Sequence, residues 1–243
     1  MMTVNNSFKK AVRTRMEITG EPFSVAKRYL DKSFSYPTEI SELDNLIEGI
    51  QSSRAYLITS IPKPSGRLRS TIKLVEPLLN NNVKIAWVEP ELNINEFKNR
   101  FTTKQLDNLS YVDAANGPSD FVSGLKELII KDDIKVIVVD NLKLAAHNYY
   151  TNSGRSLPYL SAKLLMELKR ITVEANVALL VNTPLHRNAI FNQPFMYEAS
   201  ELETTADVVM QISVNEDETG FDLNITKNRS GSTGKVNNFL MNL

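Results

Sequence analysis

The run IKVIVVD, residues 134–140, decides the fold class. Its centre is an unbroken β-branched, apolar stretch, the pattern of a strand buried on both faces rather than on one. Working outward, AYLITSI (55–61), VKIAWV (83–88) and VALLVNT (177–183) are of the same kind. Helical patterns separate them, at about 70–79, 94–101, 121–130 and 157–175. Continuous apolar strands alternating with helices imply an α/β domain, its mostly parallel sheet covered by helices on both faces. The C-terminal part departs from this pattern. VVMQISV (208–214) and FDLNITK (221–227) flank NEDETG, and KVNNFLM (235–241) follows, which predicts antiparallel strands at one edge of the sheet. Trp87 lies inside a strand and is read as core.

Residues 1–37 stand apart as a helical hairpin and linker, leaving 38–243 as the main domain. Phe8, Val12 and Met16 recur at helical spacing, Gly20 supplies a stop, and Pro22 opens a second helix through Tyr29 and Leu30. Lys9, Lys10, Arg13, Arg15, Lys27, Arg28 and Lys32 outnumber Glu17, Glu21 and Asp31 here, so the hairpin is either a nucleic-acid or partner patch or a solvated face. The whole chain has a formal net charge of zero, so any nucleic-acid binding has to come from such a local patch. Absence of cysteine excludes disulfides and thiolate metal sites, and two histidines far apart argue against a zinc cluster. The N-terminal residues lack the apolar stretch of a secretory signal, and no run approaches the ~20 apolar residues that cross a membrane. A cytoplasmic protein without membrane contact is expected.

In open α/β sheets ligands sit at the carboxyl ends of the strands. The loop after the first strand, residues 62–71, lies where a phosphate loop belongs, before a helix N-terminus whose free N–H groups favour anions. It lacks the Gly-Lys-Ser/Thr ending that such loops use to approach, neutralise and chelate. Asp140 ends its strand where a carboxylate can orient magnesium, or where a loop aspartate caps a helix. Glu89 and Glu91, after VKIAWV, are candidate bases for an attacking water.

The order of these segments carries more than any one of them. ISELDNLIEGIQSSRAYLITSIPKPSGRLRSTIKLV, VKIAWVEPELNINEFKNR, IKVIVVDNLKLA, VALLVNTPLHR, ELETTADVVMQISV and LNITKNRSGSTGKV, over about 38–240, resemble the motor domain of DnaB-type replicative helicases, a branch of the RecA-like ATPases. The resemblance implies a RecA-like twisted sheet, ATP and magnesium as cofactors, single-stranded DNA as partner and assembly into rings. It places Glu91 on the water-activating glutamate, Asp140 on the magnesium-side aspartate, and Asn182 where a γ-phosphate-sensing glutamine is usual. Lys227 and Arg229 match the basic pair inserted into a neighbouring subunit's ATP site. His186 and Arg187 follow a strand that in the family leads into DNA-contacting loops, and lie either in such a loop or in a polar excursion, while His147, Tyr149 and Tyr150 are either base-stacking or half-buried loop residues.

The phosphate loop departs from the family. Pro64 and Ser65 match it, but Arg67 stands for the close-approach glycine after Gly66, Leu68 for the lysine and Arg69 for the magnesium ligand. A side chain at 67 crowds a phosphate that needs bare backbone. Each charged hydrogen bond lost with the lysine is worth roughly 1.5–3 kcal/mol. A one-residue shift would let Arg69 and Ser70, with Thr71 beyond, stand in for Lys-Ser. Two readings follow: an accessory of DNA replication or maintenance with an eroded ATP site, which binds single strands or co-assembles with a replicative helicase; or an active, ring-forming helicase with a non-standard loop.

Overall fold

The computed structural model describes residues 2–60, 66–114, 121–151, 153–184 and 200–241. The buried runs become the strands β3 (Ala55–Ser60), β4 (Ile85–Glu89), β6 (Val136–Val139) and β7 (Ala178–Pro184), preceded by the short ribbon of β1 (Ser35–Tyr36) and β2 (Ile50–Gln51). Three more strands extend the sheet: β5 (Leu109–Asp113), β8 (Val208–Val214) and β9 (Gly220–Asn228); β10 (Gly234–Met241) closes it. The spatial order is β10-β9-β8-β3-β7-β6-β4-β5. From β8 to β5 every pairing is parallel, whereas β9 and β10 run antiparallel at one edge. The architecture is the α/β, RecA-like one expected, antiparallel edge included.

Each face of the sheet carries its own core. On one side α7 (Phe121–Lys131), α8 (Leu142–Tyr149) and α9 (Leu157–Ala175) cover Leu57, Val88, Ile137, Val139, Leu179 and Val181. On the other, α3 (Ser41–Ile47) and α4 (Gly66–Asn80) cover Tyr56, Ile58, Trp87, Val138 and Leu180. Alternate residues of each strand therefore serve opposite cores, which is why no polar residue could alternate in. Trp87 is fully buried, its ring 5.3 Å from Phe97 and 5.8 Å from Phe101.

Two elements differ from expectation for local reasons. The helix expected at 94–101 ends early, as α5 (Ile94–Lys98), and a separate α6 (Thr103–Leu106) follows it. Asn93 caps the first, and a reciprocal capping box of Thr102 and Gln105 restarts the second. Helix α4 begins at Gly66, several residues earlier than expected, so Arg67, Leu68 and Arg69 form its first turn. Gly66 itself is packed: a Cβ there would lie 3.1 Å from the Phe221 ring of β9.

The N-terminal segment forms α1 (Met2–Thr19) and α2 (Phe23–Asp31), which share a small core of Val12, Ala26 and Leu30. Helix α1 packs on α7 and α9. Tyr29 ties the hairpin to the main domain through Asp133 and Lys135, which pair with each other at 2.9 Å. Among the described residues no helix is long and apolar enough to cross a membrane.

Candidate functional site

A cleft of about 190 Å³ opens at the carboxyl ends of the parallel strands. Arg67 and Leu68 enter it from α4, Glu89 from the last position of β4, Glu91 and Leu92 from the turn beyond, Arg100 from the segment after α5, and Asp140 from the end of β6. The first turn of α4 thus faces two strands that lie beyond β7 in the sheet. Asn182, on β7 between them, hydrogen-bonds the Thr71 hydroxyl of α4 at 2.6 Å and also donates to Asp140.

The acids of the cleft are held at high proton affinity. Glu89 is 2% exposed, and burial pushes its carboxyl up to about 7, although Oε1 accepts the backbone N–H groups of Glu91 (2.8 Å) and Leu92 (3.1 Å). Burial likewise raises Asp140 to about 6; the Arg67 guanidinium and the Asn182 amide oppose that rise. Glu91 is exposed, and its Oε1 accepts the Asn141 amide at 2.8 Å. Arg67 is the cation set closest in effect to Asp140, and its Nη1 is buried without a hydrogen-bond acceptor among the described residues.

Arg69 and Ser70 do not join this group. Residues two apart on a helix face away from each other, so with Arg67 in the cleft, Arg69 reaches instead the Met241 carbonyl of β10 at 3.3 Å. Ser70 is buried and donates to the Gly66 carbonyl at 2.6 Å, and Thr71 donates to the Arg67 carbonyl at 3.2 Å. The hydroxyls near the helix start are thus turned into their own helix. Magnesium requires several oxygen ligands in near-octahedral array. Here the Asp140 carboxylate already feels the charge of the Arg67 guanidinium, the nearby hydroxyls are engaged, and no group of three acidic or histidine side chains among the described residues is arranged to hold a metal ion. The described residues do not fit a magnesium ion.

Lys227 and Arg229 lie at the other end of the sheet, at the finish of antiparallel β9 and beside the start of β3. The Lys227 ammonium donates to the Glu203, Thr204 and Ala206 carbonyls at the close of α10 (Ser200–Thr205). Arg229 donates to the Thr204 carbonyl at 3.0 Å and lies 3.6 Å from Asp207. Asp207 also accepts the Ala55 N–H at 2.8 Å and pairs with Lys169, whose ammonium burial, with Arg229, Arg54 and Lys227 alongside, pushes down to about 8.

Of the hairpin cations, Lys9, Lys10, Arg13, Lys27 and Arg28 are exposed. Arg15 is committed internally, 2.5 Å from Glu21 and 3.4 Å over the Tyr29 ring. His147 is exposed on α8, and Tyr149 and Tyr150 pack against the core under it. Ser65, His186 and Arg187 lie outside the described residues. Arg100 had no signal in the sequence; it reaches the cleft only because α5 ends short and turns back.

No protein-family model and no curated protein sequence matches the chain. Solved structures do. One, an ATPase domain, superposes with a TM-score of 0.68 at 15% identity, covering 97% of this chain and 94% of that one. A DnaB-like replicative helicase, solved for its interactions with primase, gives 0.66 at 16% identity over 93% of this chain and 67% of its own. At that identity the likeness is one of fold.

Proposed function

We propose that this protein is a helicase-motor-like domain of DNA replication or maintenance that no longer hydrolyses ATP, acting as a single-strand-binding or helicase-associated accessory. One observation carries the reading: Arg67 lines the same cleft as Asp140 and lowers its proton affinity, where a hydrolytic site of this fold needs a lysine and a magnesium ion. Transition-state charge on a transferring phosphoryl group is stabilised mainly by those cations, so their replacement weakens turnover more than binding. Glu91, the candidate base, is meanwhile held by Asn141. The position of Lys227 and Arg229 supports a part in assembly. They sit at the end of the sheet opposite the cleft, so they do not serve this chain's own cleft. The exposed lysines and arginines of the hairpin support contact with single-stranded DNA.

The test is phosphate release by the purified chain with magnesium and ATP, with and without single-stranded DNA, together with DNA binding followed across salt. The expected result is no turnover above background and modest, sequence-independent binding whose log–log salt slope is about −0.7 per phosphate contacted. Steady, DNA-stimulated turnover restores the motor and removes the accessory reading.

A further inference from the structure

The cleft brings its own fixed cation to the place where a metal ion would be needed. Arg67 is held in the first turn of a 15-residue helix, its neighbour Gly66 packed under Phe221. Its guanidinium shares the cleft with Asp140, yet Nη1 is buried with no acceptor among the described residues. Buried polar groups in native proteins are almost always paired, and a charged donor is the most costly to leave unpaired. An anion entering the cleft would supply the missing acceptor.

The charged lining is two cations, Arg67 and Arg100, beside the carboxyls of Glu89, Glu91 and Asp140, of which Glu89 and Asp140 are held at raised proton affinity. A guanidinium offers a planar fork that matches phosphate oxygens and stays charged throughout the accessible pH range. Helix α4 directs the positive end of its dipole to the same spot. Arg100 adds a second cation at the exposed rim. The volume of about 190 Å³ is room for about six waters, enough for a phosphate group or two but not for a nucleoside besides. A magnesium ion accompanying those phosphates would share the cleft with the Arg67 guanidinium, whose charge already acts on Asp140.

We propose that this cleft takes the terminal phosphates of a nucleoside triphosphate directly on Arg67, with Arg100 at the rim and without magnesium. The inference rests on the reading of a non-hydrolytic site and deepens it. Arg67 is then the replacement for lysine and metal together, and not an obstruction left by decay. Nucleotide held this way is retained as a ligand, because Glu91 stays bonded to Asn141 and no metal orients a water.

The experiment is calorimetric titration of the full chain with ATP, and separately with inorganic tripolyphosphate, once in EDTA and once in excess magnesium. ATP is expected to bind in EDTA at least as tightly as in magnesium, and tripolyphosphate within about tenfold of ATP. Arg67→Ala should lower affinity by about ten- to a hundredfold, the equivalent of one charged hydrogen bond, with its circular dichroism unchanged. Arg67→Lys, which keeps a charge in the same place, should recover part of the loss. Tighter binding in Arg67→Ala, or wild-type binding that requires magnesium, overturns the proposal by making Arg67 an obstruction. Binding of ATP without binding of tripolyphosphate overturns the assignment to the phosphate chain. Failure to bind either probe overturns this inference while leaving the non-hydrolytic reading in place. Steady magnesium-dependent turnover overturns both.

Discussion

The two ends of the parallel sheet treat buried charge in opposite ways. At the amino ends of the strands, Asp207 is almost fully enclosed and every oxygen is used: it takes the Ala55 N–H and is flanked by Lys169 and Arg229. At the carboxyl ends, Glu89 and Asp140 are as deeply buried, but burial outweighs their partners, their proton affinity is raised, and Arg67 keeps an unanswered donor. The first arrangement is what a protein does to close a seam. The second is stable only to the extent that protons or a ligand relieve it. The difference separates structural from functional charge in a chain whose totals cancel to zero.

The largest effect should come from breaking the closed end. Asp207→Ala leaves Lys169 without its partner in a half-buried place and the Ala55 N–H without its acceptor. Removing one member of a buried ion pair typically destabilises by about 3–5 kcal/mol. Urea denaturation should show a loss of that order, read as a lower midpoint at unchanged slope. A loss below about 1 kcal/mol would mean the network is solvated, and the contrast between the two ends would vanish.

At the open end the sign reverses. Glu89 titrates near 7 in the folded chain against 4.5 in a free side chain. Between those values the folded state holds more protons than the unfolded one, so stability is fullest below about 4.5 and is lost as pH rises through about 7. Glu89→Gln cannot carry the charge. It should therefore stabilise the protein at pH 8, by about 3 kcal/mol given the size of the shift, and flatten the dependence between pH 5 and 8. Thermal melts of the two proteins across that range decide it; parallel curves would show that Glu89 is not held in a penalised charged state.

This contrast was only half legible in the sequence. Strands buried on both faces announce themselves, because VIVV or ALLV has no other soluble home. Edge strand β5 did not, since its residues are half-exposed and LSYVD carries no pattern of either kind. Asp140, Glu91 and Asn182 were found as strand-end residues, and the sheet does bring them to one cleft or its wall. What could not be read was the helix phase at 66–71. The helix turns Arg67 inward and Arg69 outward, and composition does not distinguish that phase from its reverse. Asp207 was missed altogether, because an aspartate before a strand looks like any loop residue until Ala55, Lys169 and Arg229 arrive from three distant segments.

Arg229→Ala should have the smallest effect on the isolated chain, and for that reason it is the sharpest probe of the comparison. Its side chain is 56% exposed, its approach to Asp207 is 3.6 Å, and Lys169 remains as the closer partner of the same carboxylate. Exposed ion pairs contribute about 0–1 kcal/mol, so the melting midpoint should barely move. The residues around it nevertheless carry a surplus of positive charge: Lys169, Lys227, Arg229 and Arg54 act together at that end, with the carboxylates Asp207 and Glu203 beside them. Lys227 and Arg229 also cap the last carbonyls of α10, and the charge left over suits an anion supplied from outside. If the chain enters a ring beside an active helicase subunit, Arg229→Ala should lower that subunit's ATP turnover while leaving folding and assembly, followed by light scattering, as they were. If the variant melts several degrees lower instead, Arg229 belongs to the closed structural seam, and the amino ends of the strands face no partner's phosphate.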